Sequence, residues 1–247
     1  MKIAEIRSKT ILSSSQVYDY VINPYVGCQH GCSYCYARSM KRFTGHREPW
    51  GDFVDVKINA PELLRKEITR KKKGEVWVSG VCDPYQPLEA RYRLTRQCLE
   101  ILAENRWPVV IQTRSPLVLR DMDLFKKAES WQVGLSITTA DDRIRQIFEP
   151  KAPPIGARLK AVAELHDKGI ATYVMIAPLL PGGENLVAIL AGKVDYLILD
   201  RMNYHYADAI YARYGWREMN SDGYFSAMRR RIEEECRQRN IDCRAAY

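Results

Sequence analysis

Five short apolar runs fix the class of fold this chain can adopt. "EVWVSGV" (75–81), "PVVIQT" (108–113), "QVGLSIT" (132–138), "IATYVMIA" (170–177) and "DYLILD" (195–200) are nearly continuous in apolar, β-branched residues. A strand with one wet face alternates; a run like these belongs to a parallel strand covered on both faces. Between them lie "APELLRKEITRKKKG", "LTRQCLEILAEN", "LRDMDLFKKAE" and "ARLKAVAELHDKG", each with apolar residues three and four apart, as in helices with one buried face. Gly74 and Gly169 stand where helix C-caps belong. The segment "VYDYVINPYVG" (17–27) supplies a first strand, and "FVDVKI" (53–58) adds another or pairs at an edge. The pattern is about six βα units in one run without a linker. It predicts a single α/β domain over residues 1–247, with a core at about 17–202 and an aromatic, helical extension at 203–247. Right-handed crossovers then give an open doubly wound sheet or a barrel, and either places a site at the C-terminal ends of the strands.

The 247 residues are 46% hydrophobic and 28% charged, which suits a globular chain with a real core. No apolar run approaches the ~20 residues that span a bilayer, so no membrane partner is expected. The start, "MKIAEIRSKTILSSS", lacks the apolar centre of a signal peptide, and the expected location is the cytoplasm. Net charge is +8. The excess gathers near Lys71 and Arg229, where solvated helix ends or faces account for much of it. Polyanion binding is compatible with this charge, which does not by itself demand it.

At the predicted rim, "GCQHGCSYCYAR" (27–38) places Cys28, Cys32 and Cys35 within eight residues. Three thiolates on one loop suit one metal centre. Structural zinc takes four ligands, usually in two separated pairs. Cys82, Cys98, Cys236 and Cys243 are scattered, so a zinc site would need His30, from inside the loop. A four-iron, four-sulfur cluster held by three cysteines keeps one iron open, and an open position marks a catalytic metal. Cys82 and Asp83 follow "VWVSGV", Arg114 follows "VVIQT", and Met175 to Pro178 close "TYVMIAP" at the same predicted rim. His30 and Arg38 flank the loop, either bracing it or raising a cluster potential.

The spacing Cys-x3-Cys-x2-Cys, with Tyr34 before the last cysteine, resembles the signature of the radical S-adenosylmethionine (SAM) superfamily. In order, "NPYVGCQHGCSYCYAR", "CDPYQPLEARYRLTR", "TRSPLVLRDMDLF", "LSITTADDRIRQIFEPKAPP" and "RLKAVAELHDKGI" before "VMIAPLLPG" resemble the spore photoproduct lyase-like family over roughly 20–200. The resemblance implies a partial (β/α)6 TIM-like barrel and a [4Fe-4S] cluster on Cys28, Cys32 and Cys35. The open iron of that cluster chelates S-adenosyl-L-methionine, whose reductive cleavage yields a 5'-deoxyadenosyl radical that abstracts hydrogen from substrate. It places Tyr34 beside the adenine, Cys82 and Asp83 near the methionyl group, Arg114 on the cofactor carboxylate or ribose, and Ser136 in a hydrogen bond to the cofactor. Arg114 replaces a lysine of the lyase pattern with a planar fork. The lyase's hydrogen-donor cysteine aligns nearer Gly80 than Cys82, so Cys82 carries both a cofactor-facing and a catalytic expectation.

After the last predicted strand come Tyr204, His205, Tyr206, Tyr211, Tyr214 and Trp216. They suit a lid, a base-stacking surface or a radical relay, with Tyr204 a candidate catalytic residue; equally, they suit a cover for the open side of a barrel. Two substrate readings share the chemistry: a nucleic-acid lesion, or a small molecule, peptide or RNA. A third reading is a non-catalytic metal-cluster module that binds nucleic acid. The expected partners are DNA or RNA and an electron donor such as flavodoxin or ferredoxin; the oligomeric state is not written in the sequence.

Overall fold

The computed structural model describes residues 1–128 and 130–246. Glu129, which ends the helical pattern at 119–129, and Tyr247, which ends the predicted extension, lie outside the described residues. The chain divides into two compact units, Met1–Gly31 with Ala37–Val133, and Cys32–Tyr36 with Gly134–Tyr247.

The first unit holds two sheets. Strands β1 (Lys2–Ile6), β4 (Tyr25–Val26) and β5 (Phe53–Lys57) form a three-stranded sheet in the order β1-β5-β4. In it β1 runs parallel to β5 and β4 antiparallel. The larger sheet runs β2 (Leu12–Ser14), β3 (Tyr20–Ile22), β6 (Val76–Val78), β7 (Val109–Thr113) and β8 (Trp131–Ser136), which continues into the second unit. β3, β6 and β7 are parallel, so their C-terminal ends share one edge. Val76, Val78, Val109 and Ile111 are fully buried, each worth about 1.5–3 kcal/mol in apolar transfer. The helices are α1 (Ala60–Ile68), α2 (Glu89–Tyr92), α3 (Leu94–Glu104) and α4 (Met122–Phe125).

In the second unit the order is β8, β9 (Ala171–Ile176), β10 (Tyr196–Leu199) and β11 (Asp242–Ala245), with β9, β10 and β11 parallel. Its helices are α5 (Asp142–Phe148), α6 (Ile155–Asp167), α7 (Leu186–Leu190), α8 (Asp208–Arg213) and α9 (Asp222–Gln238). Gly169 caps α6 at φ +75°, and Ile170 N–H closes the turn onto Leu165 O at 3.2 Å. At Gly134 a Cβ would stand 2.1 Å from the Tyr173 ring, so β8 and β9 approach closely there because position 134 carries no side chain.

The six predicted core strands are present as β3, β6, β7, β8, β9 and β10. "FVDVKI" joins the separate small sheet. Gly74 is no cap: α1 ends at Ile68, and Gly74 lies under the Asp19 side chain. The fold is mixed α/β with parallel strands and intervening helices, consistent with the partial (β/α)6 TIM-like class. Among the described residues no helix is long and apolar enough to cross a membrane.

Candidate active site

In the first unit the cysteine loop leaves β4 through Gly27, at φ +88°, where a Cβ would stand 2.4 Å from Phe53 O. Only glycine fits such a turn without strain. Cys28 follows and is buried. The loop is sewn to the "CDPYQP" turn by two glutamines. Gln86 Oε1 accepts from Gln29 N–H at 2.9 Å, and Gln29 Oε1 accepts from Leu88 N–H at 2.6 Å. His30, 1% exposed, points Nε2 at Asp83 Oδ2, 3.2 Å away. That is close contact without hydrogen-bond alignment, and Nδ1 has no hydrogen-bond partner among the described residues.

Asp83 is the anchor of this half. Its Oδ1 accepts from the Thr113 hydroxyl at 2.6 Å and Tyr85 N–H at 2.9 Å; its Oδ2 accepts from Arg114 N–H at 2.7 Å. Burial works to raise its pKa, but His30, Thr113 and the Arg114 amide outweigh burial and hold it at about 2. Cys82 and Asp83 thus follow β6 and Arg114 follows β7, at the shared C-terminal edge. The Cys82 thiol lies 2.9 Å from Ser79 Oγ, which donates to Asn23 Oδ1 at 2.7 Å. Burial pushes that thiol up to about 11, so it stays protonated at neutral pH. Cys82 packs against Tyr25, Val54, Val56, Leu88 and Leu94.

The second unit holds the rest of the loop. Cys32 and Tyr34 are buried in a cluster with Phe148, Leu180, Ala207 and Tyr211; Cys35 packs at its margin. Phe148 O accepts from Ser33 N–H at 2.9 Å and from Ser33 Oγ at 3.1 Å. The Tyr34 hydroxyl donates to Glu149 Oε1, which also accepts from Thr138 Oγ1 at 3.0 Å. Glu149 Oε2 lies 2.5 Å from the Arg158 guanidinium. Arg158 also donates to Ser136 O at 3.1 Å, at the end of β8, and to Pro153 O at 2.9 Å. No described cysteine is in a disulfide.

The aromatic extension separates into two parts. Tyr211 joins the buried cluster, with its ring 5.1 Å from that of Phe148. Tyr204, 47% exposed, stacks between Tyr36 at 6.3 Å and Tyr206 at 5.7 Å. A cavity of about 510 Å³ beside it is lined by Arg201, Asn203, Tyr204, His205, Ser221 and Phe225, among others.

Glu149, Arg158, Phe148, Thr113 and Gln86 were not singled out by the sequence. Glu149 follows "DRIRQIF" directly, before a proline-rich stretch, which is a signal for it in the sequence.

The sequence profile of the Radical SAM superfamily matches residues 22–189. An uncharacterized protein of Methanocaldococcus jannaschii is 38% identical over 183 residues, 73% of this chain and 69% of that protein. The Radical SAM Nalpha-GlyT isomerase of Pseudomonas phage M6 is 29% identical over 161 residues, 64% of this chain and 33% of the isomerase. Other relatives are spanned over 56% or 54% of their length. A spore photoproduct lyase complexed with dinucleoside spore photoproduct shares the fold, with TM-score 0.72 at 16% identity over 99% of this chain and 82% of the lyase chain. The profile match covers more than half of the chain, which therefore belongs to the radical SAM superfamily and is a radical SAM enzyme.

Proposed function

We propose that Cys28, Cys32 and Cys35 hold a [4Fe-4S] cluster and that Tyr34, Cys82, Asp83, Arg114 and Ser136 bind or orient S-adenosyl-L-methionine. The observation that carries this reading is the cysteine loop itself: within the first unit its His30 faces the buried Asp83, and within the second its Tyr34 donates to the buried Glu149. Among the described residues no group of three His, Cys, Asp or Glu side chains is arranged around a single ion. A cubane makes no such demand, because each thiolate binds a different iron. Soft thiolates select iron–sulfur clusters, and the buried His30 nitrogen without a partner suits a neighbouring inorganic group.

Bound there, the cofactors would supply one-electron reductive cleavage of a carbon–sulfur bond and radical hydrogen abstraction. The chain's own groups shape that site. Asp83 fixes Arg114 through its amide and holds His30 under the loop. Cys82, a neutral thiol, presents a weak S–H bond instead of a thiolate. Glu149 holds Tyr34. An external one-electron donor of the flavodoxin or ferredoxin kind is required.

The substrate we favour is a nucleic acid, with a base laid on Tyr36, Tyr204 and Tyr206. Base–aromatic stacking contributes about 1–3 kcal/mol per base, and the helical turn beginning at Tyr36 carries Arg38, Lys41 and Arg42 with no acidic residue. The cavity beside Tyr204 favours a second reading, modification of a small molecule or peptide. The test is iron and sulfide content with electron paramagnetic resonance of the reduced protein, for wild type and single Cys→Ala changes at 28, 32 and 35. A four-iron signal lost in each variant supports the ligand set; a signal surviving any of them removes that cysteine. Single-stranded oligonucleotides that bind wild type and bind Tyr204→Ala at least fivefold more weakly support the nucleic-acid reading; equal binding shifts weight to the small-molecule reading.

A further inference from the structure

The second unit contains a buried ion pair behind Tyr34. Glu149, just past α5, and Arg158, in α6, are both 0% exposed. A buried pair is poor evidence of stability, because well-packed apolar residues serve as well. Its other contacts supply a reason for it. One oxygen of Glu149 takes the Tyr34 hydroxyl. The preceding residue, Phe148, grips Ser33 through its carbonyl. Arg158 reaches on to the carbonyl of Ser136. Tyr34 and Ser136, both proposed above as cofactor residues, are therefore tied to one buried pair.

We propose that Glu149, oriented by Arg158, is a positioning residue for S-adenosylmethionine. It fixes the plane of Tyr34 and the place of Ser136 before the cofactor arrives. This rests on the cofactor reading above. An aromatic ring already held in its binding orientation loses no rotamer freedom when a ligand packs on it, whereas a loosened ring does. Thr138 is the natural control. Its hydroxyl donates to the same Glu149 oxygen, and Thr138 lies outside the cysteine loop.

The test uses cluster-loaded protein without reductant, so that the cofactor binds but is not cleaved. Equilibrium dialysis gives the Kd for S-adenosylmethionine at least 10 °C below each variant's Tm, with iron per chain measured alongside. Tyr34→Phe is predicted to keep its iron and weaken binding about three- to tenfold, the scale of immobilising one side chain. Glu149→Gln, which keeps an acceptor for Tyr34 but loses the charge by which Arg158 orients it, weakens binding by no more than Tyr34→Phe does. Thr138→Val lowers Tm comparably to Tyr34→Phe but leaves Kd within twofold. If Tyr34→Phe binds as tightly as wild type, or Thr138→Val weakens binding as much as Tyr34→Phe, the pair is structural and the proposal fails. If cluster-loaded wild type binds no S-adenosylmethionine, the cofactor reading itself fails. Should Glu149→Gln not fold, Tyr34→Phe carries the test alone.

Discussion

Glu149→Gln isolates what the buried pair contributes to folding. Glutamine keeps the volume and still accepts from Tyr34 and Thr138. What it removes is the charge facing Arg158, whose guanidinium is 0% exposed and loses its counter-ion. Removing one partner of a buried pair costs about 3–5 kcal/mol, because the orphaned charge has neither water nor an anion. In a protein of this size each kcal/mol shifts Tm by about 2–4 °C, so the variant should melt about 6–20 °C below wild type. Arg158→Met in the same chain removes the orphaned charge and keeps the long apolar stem. The double variant should be no less stable than Glu149→Gln, a coupling of about 2 kcal/mol or more. Calorimetry on the four proteins of the cycle decides the matter. A loss under about 1 kcal/mol in Glu149→Gln, or strict additivity in the double variant, would refute the argument that the pair is desolvated and mutually dependent.

Three further expectations follow from the site. Gly27→Ala forces a Cβ to 2.4 Å from Phe53 O at positive φ, and should lower the denaturant midpoint by an amount worth at least about 1–3 kcal/mol; an unchanged midpoint contradicts the loop geometry. The Cys82 thiol, pushed up to about 11, should react with iodoacetamide about tenfold faster per pH unit from 8 to 10, read by peptide mass; a plateau near pH 9 denies its burial. Asp83, held at about 2 against an ordinary 3.8, contributes stability above pH 4 that is lost as pH falls toward 2, worth about 2 kcal/mol; Asp83→Asn should flatten that stretch of the stability curve, and an unflattened curve assigns the acid loss elsewhere.

The core strands were legible because parallel strands buried on both faces leave continuous apolar runs. β1, "KIAEI", and β11, "DCRA", were not, since each is largely exposed and owes its form to pairing with β5 and β10. The helix expected at 119–129 becomes a 3₁₀ turn, Pro116–Asp121, followed by the short α4. Asp121 is drawn into a buried network with Tyr85, Arg96 and Arg120, and that tertiary demand overrides local periodicity. The cysteine loop announced itself by spacing. Its two anchors did not: Asp83 is expected near the methionyl group with no sign of its partners His30 and Thr113, and Glu149 and Arg158 are nine residues apart on different elements. A charged residue in a sequence is presumed wet, and its burial is known only when its partner is found.

The central claim is that the three-cysteine loop generates radicals from S-adenosylmethionine. The most direct measurement is anaerobic: load the protein with iron and sulfide, reduce it, add S-adenosylmethionine, and assay 5'-deoxyadenosine beside Cys32→Ala. The account predicts 5'-deoxyadenosine from wild type and none above background from the variant. A loaded, reduced wild type that leaves the cofactor intact, or equal product from both proteins, would contradict it.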